Sequence, residues 1–226
     1  MSVAINLKEV KENIYLACKR CGRNPDEIEI VTVTKSASLG QVEEAYQTGL
    51  RIFGENRVDE LLKKKNTLGF NDASWHLIGH LQRNKVKKII GQAELIQSLD
   101  SMRLAKEIAM RAQERKIEVR CLVEVNVGKE PQKYGLQEEE IDLFLKEAAL
   151  LKGIKIEGLM TVAPLGEEKV VRPVFKRLSQ LFTFYRQNCP EGIEMQYLSM
   201  GMSSDYIIAV EEGANMLRLG TAIFKS

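Results

Sequence analysis

The stretch "IEIVTVTKSASLGQVEEAYQTGLRIFGENRVDELLKKK", residues 28–65, contains the pattern that decides the fold. Two short runs rich in β-branched and other apolar residues, at 28–34 and 51–54, predict strands. Each run is followed by a helical pattern, at 39–48 and at 55–65. Because a regular alternation of strand and helix requires crossover connections, it predicts a parallel sheet covered by helices.

The same alternation continues along the rest of the chain. Further strands are predicted at 75–79, 95–99, 119–127, 154–162, 195–200 and 216–219, with helices at 84–90, 102–116, 138–151, 167–188 and 205–212 between them. Eight such units predict an α/β fold, a single (β/α)8 TIM-type barrel that occupies residues 1–226 as one domain. An extra N-terminal helix precedes it, since Leu7, Val10, Ile14 and Ala17 have helical spacing. The alternative is an open doubly wound sheet, but the G-x-G-x-x-G expected after its first strand is missing.

The composition is typical of a soluble globular protein, with 44% hydrophobic and 28% charged residues. No apolar run is long enough to cross a membrane, so we expect a cytoplasmic protein without membrane contact. Lysine and arginine number 33 against 31 acidic residues, a balance that argues against nucleic acid as a partner. The basic run at 63–65 is therefore interpreted as a solvated helix face.

The four cysteines and two histidines do not predict a disulfide framework or a metal site. Cys18 and Cys21 form a C-x-x-C in the first helix, without the second ligand pair that zinc needs. His76 and His80 lie in a strand and turn pattern, which removes the helical spacing that would aim both at one metal. We expect reduced thiols and no bound metal.

Polar residues and glycines are concentrated in the segments that follow the predicted strands. These segments are Lys35, 54–56, 78–85, Asp100, 126–135, 160–164, 199–205 and 218–224. In a barrel of this kind the site lies at the C-terminal ends of the strands. One end of the predicted barrel therefore carries the residues of a binding site.

The last two segments have the composition of a phosphate site. "SMGMSSD" at 199–205 and "RLGTA" at 218–222 offer glycines, hydroxyls and backbone N–H groups. They follow strands seven and eight, where barrels frequently bind phosphate. Plain N-capping of the next helix by Ser203 and Ser204 is an alternative of about equal weight, and the position in the barrel favours the ligand.

Lys35 follows the first strand at the same end of the barrel. One interpretation is a lysine whose stem runs along apolar surface while the ammonium reaches water. The other is a reactive amine, since a neutral lysine forms a Schiff base with an aldehyde and desolvation favours the neutral form. A phosphate site across the barrel mouth makes a phosphorylated aldehyde the natural ligand, and pyridoxal 5′-phosphate (PLP) is the most familiar cofactor of that type.

Six stretches, in order along the chain, resemble the PLP-binding homeostasis proteins of the YggS/PROSC family, whose barrel is similar to the N-terminal domain of alanine racemase. They are "VTVTK" at 31–35, "FGENRVDE" at 53–60, "WHLIGHLQRNK" at 75–85, "GLMTVAP" at 158–164, "LSMGMSSD" at 198–205 and "LRLGTAIF" at 217–224. Many relatives carry a proline soon after the lysine, where this chain has "KSAS" at 35–38. The first loop is therefore expected to differ in shape.

The resemblance implies a role for each candidate residue. It implies that Lys35 carries PLP as an internal aldimine, a Schiff base, and that Asn56 lies near the ring. It also implies that Arg218 faces the pyridine nitrogen, and that the phosphate is held by Ser203, Gly220 and Thr221. From the residues alone, Arg218 would be a rim salt bridge and Asn56 a helix N-cap. His76 is either a ring contact or a satisfied core histidine, and the second is favoured.

The function that follows from the resemblance is PLP carriage and intracellular vitamin B6 and amino-acid homeostasis, with little or no catalysis. The alternative is a PLP-dependent amino-acid racemase, which needs an acid or base on each face of the substrate. The resemblance implies that a racemase takes its second base from an additional domain, and only residues 220–226 follow the eighth strand here. A third possibility is an interaction module tuned by the bound phosphate ligand. We expect a monomer, with PLP-dependent enzymes or regulatory proteins as candidate partners.

Overall fold

The barrel is built from eight short strands that alternate with helices, as the computed structural model of residues 2–130 and 132–225 describes it. The strands are β1 (Glu29–Val33), β2 (Ile52–Glu55), β3 (Ser74–Leu77), β4 (Leu95–Leu99), β5 (Val119–Glu124), β6 (Ile154–Met160), β7 (Tyr197–Ser199) and β8 (Met216–Leu219). They pair in parallel and in chain order, and β8 closes the barrel on β1 with Glu29 opposite Met216. The predicted (β/α)8 TIM-type barrel is confirmed, and the open doubly wound sheet is excluded.

Helices surround the barrel and connect its strands. They are α1 (Val3–Cys21), α2 (Leu39–Gln47), α3 (Val58–Leu68), α4 (Val86–Ile89), α5 (Met102–Glu114), α6 (Ile141–Ala148), α7 (Glu168–Asn188), α8 (Tyr206–Glu211) and α9 (Thr221–Phe224). The predicted extra helix is α1, which begins where the Ser2 hydroxyl accepts a hydrogen bond from the Ile5 N–H and which contacts α8 and α9. None of the helices in the described ranges combines the length and the apolar character that a membrane span requires.

Several boundaries differ from the sequence prediction. The helix predicted at 55–65 begins at Val58, because β2 continues through Glu55. The strand predicted at 119–127 ends at Glu124, since the carbonyl of that residue accepts a hydrogen bond from the Leu136 N–H of the following loop. The helix predicted at 84–90 is a 3-10 turn, Arg83–Lys85, followed by the short α4.

Two apolar clusters stabilise the barrel and its surrounding helices. The larger core lies between the helices and the outside of the barrel. A smaller cluster fills part of the barrel interior and consists of Val31, Leu95, Leu122, Met160 and Met216. Alternate side chains of a strand point to opposite faces. Arg218, two residues after Met216 in β8, therefore also points into the barrel, toward its C-terminal end.

Candidate functional site

A cavity of about 750 Å³ opens at the C-terminal ends of the strands. Its lining includes all six residues predicted from the sequence, namely Lys35, Asn56, Ser203, Arg218, Gly220 and Thr221. The sequence did not single out Ser36, Gln41, Phe224 and Lys225, which complete the polar and aromatic part of the wall. Residues from opposite ends of the chain therefore meet in one site, because closure of the barrel places β8 beside β1.

Lys35 enters this cavity from a tight turn. The turn spans Thr34 to Ala37 and is closed by a hydrogen bond of 3.0 Å from the Ala37 N–H to the Thr34 carbonyl oxygen. Thr34 is fully buried, whereas Lys35 is exposed to solvent. The amine is therefore accessible to a dissolved ligand while the residue before it is anchored in the protein.

The loops after β7 and β8 are joined by a single hydroxyl. Ser203 Oγ accepts hydrogen bonds from the backbone N–H groups of Gly220, at 3.2 Å, and Ala222, at 3.0 Å. Within the described residues, the backbone N–H groups of Ser203, Ser204 and Thr221 have no acceptor. Unpaired N–H groups and hydroxyls that converge on one cavity can hold a phosphate. These loops therefore fit the phosphate end of the expected cofactor.

The capping alternative for the two serines is wrong. The N-cap residue of α8 is Asp205, and no side chain caps that helix. Asp205 instead accepts hydrogen bonds from the Met202 N–H, at 2.6 Å, and from the Ser204 hydroxyl, at 3.0 Å. The loop is thus held by Asp205, and the Ser203 side chain is directed toward the neighbouring loop.

Arg218 is buried and held on two sides. One guanidinium nitrogen donates to Ser199 Oγ at 2.5 Å and another donates to the Thr161 carbonyl oxygen at 2.7 Å. Burial lowers the pKa of Arg218 to about 10, while the charges of Glu124 and Asp205 oppose that shift, so the group stays charged at neutral pH. The rim salt bridge proposed as an alternative is wrong, because the hydrogen bonds go to a hydroxyl and a carbonyl group.

A chain of hydrogen bonds extends from Arg218 through the barrel interior. The Ser199 hydroxyl donates to Gln97 Oε1 at 2.6 Å, and Gln97 Nε2 donates to His76 Nδ1 at 3.0 Å. His76 Nε2 therefore carries the proton and donates to Ser74 Oγ at 3.1 Å. Burial lowers the pKa of His76 to about 3, so the ring is neutral. His76 is the satisfied core histidine that was favoured, and it does not line the cavity.

Asn56 lies in the cavity wall directly after β2. The capping alternative is wrong here as well, because the N-cap residue of α3 is Arg57. The backbone of Asn56 is packed against Gly79, where a Cβ would lie 2.4 Å from the Asn56 carbonyl oxygen. A glycine at this point of the loop after β3 therefore sets the position of Asn56.

A second group of ionisable residues lies at the ends of β3, β4 and β5. Burial raises the pKa of Glu124 to about 7, the charge of Asp100 adds to that effect, and Arg218 opposes it. His80 Nδ1 contacts Asp100 Oδ2 at 2.8 Å, and its ring stacks on Tyr134 with centroids 3.7 Å apart. No pattern in the sequence singles out Glu124, which lies inside a predicted strand. The two histidines take part in separate contacts, and no cluster of three metal-ligand residues occurs in the described part of the chain.

One expectation about charge is corrected by the structure. Lys64, in the basic run interpreted as a solvated helix face, is buried and forms an ion pair with Glu55. Its neighbour Lys63 is exposed, as expected. The helical period turns only one lysine of the run toward the barrel.

Comparison with known proteins gives consistent matches over the whole chain. The family profile described as the alanine racemase N-terminal domain matches residues 5–226. A pyridoxal phosphate homeostasis protein of Aquifex aeolicus is 40% identical over 225 residues, which cover 99% of this chain and 98% of the relative. The homeostasis protein of Escherichia coli K12 is 33% identical, with coverage of 98% and 95%.

Among solved structures, PipY of Synechococcus elongatus PCC7942 with PLP bound is similar to this chain. Its sequence is 31% identical, the TM-score is 0.86, and the match covers 99% of this chain and 100% of that one. The similarity thus includes a protein whose structure contains PLP.

Proposed function

Because this chain belongs to the family of pyridoxal phosphate homeostasis proteins, we propose that it binds PLP in the cavity at the barrel mouth and takes part in PLP homeostasis. In this proposal Lys35 carries the cofactor covalently and the protein catalyses little or nothing. A cytoplasmic location and PLP-dependent or regulatory protein partners stay predictions.

The observation that carries the proposal is the meeting of an accessible amine and a phosphate-type cradle in one cavity. Lys35 lines the cavity together with Ser203, Gly220 and Thr221. PLP has an aldehyde and a phosphate on the same ring, so it can engage both ends of such a site. The Lys35 amine attacks the aldehyde carbon, a C=N bond forms, and the aldehyde oxygen leaves as water.

Arg218 is proposed to face the ring nitrogen. Its guanidinium can donate hydrogen bonds but cannot accept one. A ring nitrogen opposite it would therefore accept a hydrogen bond and stay unprotonated, which weakens the ring as an electron sink. The contacts to Ser199 and Thr161 support this role because they fix the direction of the guanidinium.

The composition of the wall supports carriage rather than turnover. Among the lining residues that the structure describes, the ionisable side chains are Lys35, Arg218 and Lys225, and none is a carboxylate, imidazole, thiol or phenol. Racemisation needs a proton donor or acceptor on each face of the substrate carbon. Lys35 offers one such group, Arg218 is held as a charged donor, and the Lys225 ammonium pairs with Glu9 at 3.3 Å.

Titration with PLP tests the proposal. Wild type is expected to become yellow, with an absorbance band that borohydride removes. Lys35→Ala should lose that band and keep weaker, phosphate-held binding, whereas Lys63→Ala, at an exposed lysine of α3, should behave as wild type. A wild-type protein without the band would contradict the proposal. Single enantiomers of several amino acids provide the second arm, because sustained racemisation would favour the enzyme alternative.

A further inference from the structure

A buried ion pair lies directly behind the turn that carries Lys35. Lys64 of α3 donates from Nζ to Glu55 Oε1 at 2.5 Å and to the Thr34 carbonyl oxygen at 2.5 Å. The same Glu55 oxygen accepts a hydrogen bond of 2.6 Å from the Thr34 hydroxyl. Lys64 is 7% exposed and Glu55 is 1% exposed.

A buried ion pair of this kind is not expected to stabilise the fold more than apolar residues would. Removal of two charges from water costs free energy that their attraction often fails to recover, and apolar residues of similar size frequently give a more stable protein. Apart from the bond between Glu55 and Lys64, the side-chain hydrogen bonds of the pair go to Thr34. Its effect is therefore concentrated on one residue.

Thr34 is the residue whose carbonyl group is bonded to the Lys35 nitrogen. That carbonyl accepts from the Ala37 N–H as well as from Lys64, and the Thr34 N–H donates to the Gly54 carbonyl at 3.0 Å. With the hydroxyl bonded to Glu55, every polar group of Thr34 is occupied. The peptide plane before Lys35 is thus fixed, although β1 has already ended at Val33.

We propose that the Glu55–Lys64 pair positions Lys35 for covalent capture of the cofactor aldehyde. This inference rests on the proposed function. Neither residue of the pair lines the cavity, so both act through the Thr34–Ala37 turn and are positioning residues. An exposed lysine on an unsupported turn would sample many directions, and the pair restricts that sampling before the ligand arrives.

The test compares wild type with the double variant Glu55→Gln/Lys64→Met, which removes both charges together. Lys63→Met, an exposed lysine on the same helix, is the matched control. Three quantities are measured: hydrogen exchange of the Ala37 amide, the rate of appearance of the PLP absorbance band, and the affinity for pyridoxine 5′-phosphate, which has ring and phosphate but no aldehyde. The melting temperature reports on the fold.

For the double variant we expect the Ala37 amide to exchange about tenfold faster, because Lys64 no longer holds the Thr34 carbonyl group that accepts the hydrogen bond from this amide. The rate of PLP capture should fall by about tenfold or more, since the amine is no longer aimed. The affinity for pyridoxine 5′-phosphate should change by less than about twofold, because the cavity wall is intact. The control should match wild type in all three.

Unchanged exchange and capture in a folded double variant would overturn the proposal, as would a loss of pyridoxine 5′-phosphate affinity equal to the loss of capture rate. If the double variant does not fold, Thr34→Val decides, because it removes the hydroxyl that donates to Glu55 at 2.6 Å and lies 3.4 Å from the Gly54 carbonyl oxygen. Smaller changes of the same kind in exchange and capture support the proposal, and the absence of any change overturns it. Failure of the proposed function is distinguishable, because wild type itself would then show no PLP absorbance band. The positioning role of the Glu55–Lys64 pair would then be wrong as well.

Discussion

Replacement of Glu124 by glutamine should change the pH dependence of stability. Glu124 ends β5, and its pKa is raised to about 7 by burial and by the charge of Asp100, against the opposing charge of Arg218. Glutamine has the shape of the protonated glutamate and cannot ionise. The variant therefore keeps the favourable, uncharged state at every pH.

The sign and size of this change in stability follow from proton binding by Glu124. Between a pH of about 4.3, where a glutamate of an unfolded chain titrates, and about 7, the folded protein holds the Glu124 proton more tightly than the unfolded chain does. The stability of wild type therefore falls as pH rises through this window. At ~1.4 kcal/mol per pKa unit, the ionised group costs the fold at most about 4 kcal/mol above the window.

The assay is urea unfolding of wild type and Glu124→Gln at several pH values, with linear extrapolation to water. The variant should be more stable than wild type by up to about 4 kcal/mol near pH ~8 and about equal to it near pH ~4. His76, whose pKa burial lowers to about 3, is present in both proteins and cancels in the difference. Glu43→Gln, at an exposed position of α2, is the control and should show no such trend. A stability difference between Glu124→Gln and wild type that is independent of pH would show that Glu124 does not titrate in this window.

Two further substitutions test the geometry of the cavity wall. In thermal unfolding, Gly79→Ala should destabilise the protein by about 1–3 kcal/mol, and it should also weaken PLP binding, because the new methyl group displaces the Asn56 backbone. Its control is Gly40→Ala, where a Cβ meets open space, and this variant should be as stable as wild type or more stable. Ser199→Ala leaves one guanidinium contact of Arg218 unpaired and should cost about 1–3 kcal/mol in urea unfolding. Equal melting temperatures for the two glycine variants, or an unchanged stability of Ser199→Ala, would contradict these assignments.

The sequence predicts the barrel well because its signals are local. Each strand and each helix has its own period, and the order of the elements determines their arrangement in a closed parallel barrel. The rim residues follow from the strand ends, so the sequence places Lys35, Asn56 and Arg218 at the C-terminal end of the barrel. The Arg218 side chain points into the barrel, as expected for a residue two positions after Met216 in β8.

What the sequence could not predict depends on contacts between distant segments. Lys64 lies in a run of three lysines, and only the approach of α3 to Thr34 and Glu55 determines that one of them is buried. The raised pKa of Glu124 depends on Asp100 and Arg218, which come from other strands. Their positions relative to Glu124 are fixed only when the barrel closes.

Covalent attachment of PLP to Lys35 can be mapped chemically. The protein is incubated with PLP, reduced with borohydride, digested, and analysed by mass spectrometry for the lysine that carries the pyridoxyl phosphate group. We expect one dominant label at Lys35, which lines the cavity, and little at exposed lysines such as Lys63. A label spread over surface lysines, or none at Lys35, would contradict it.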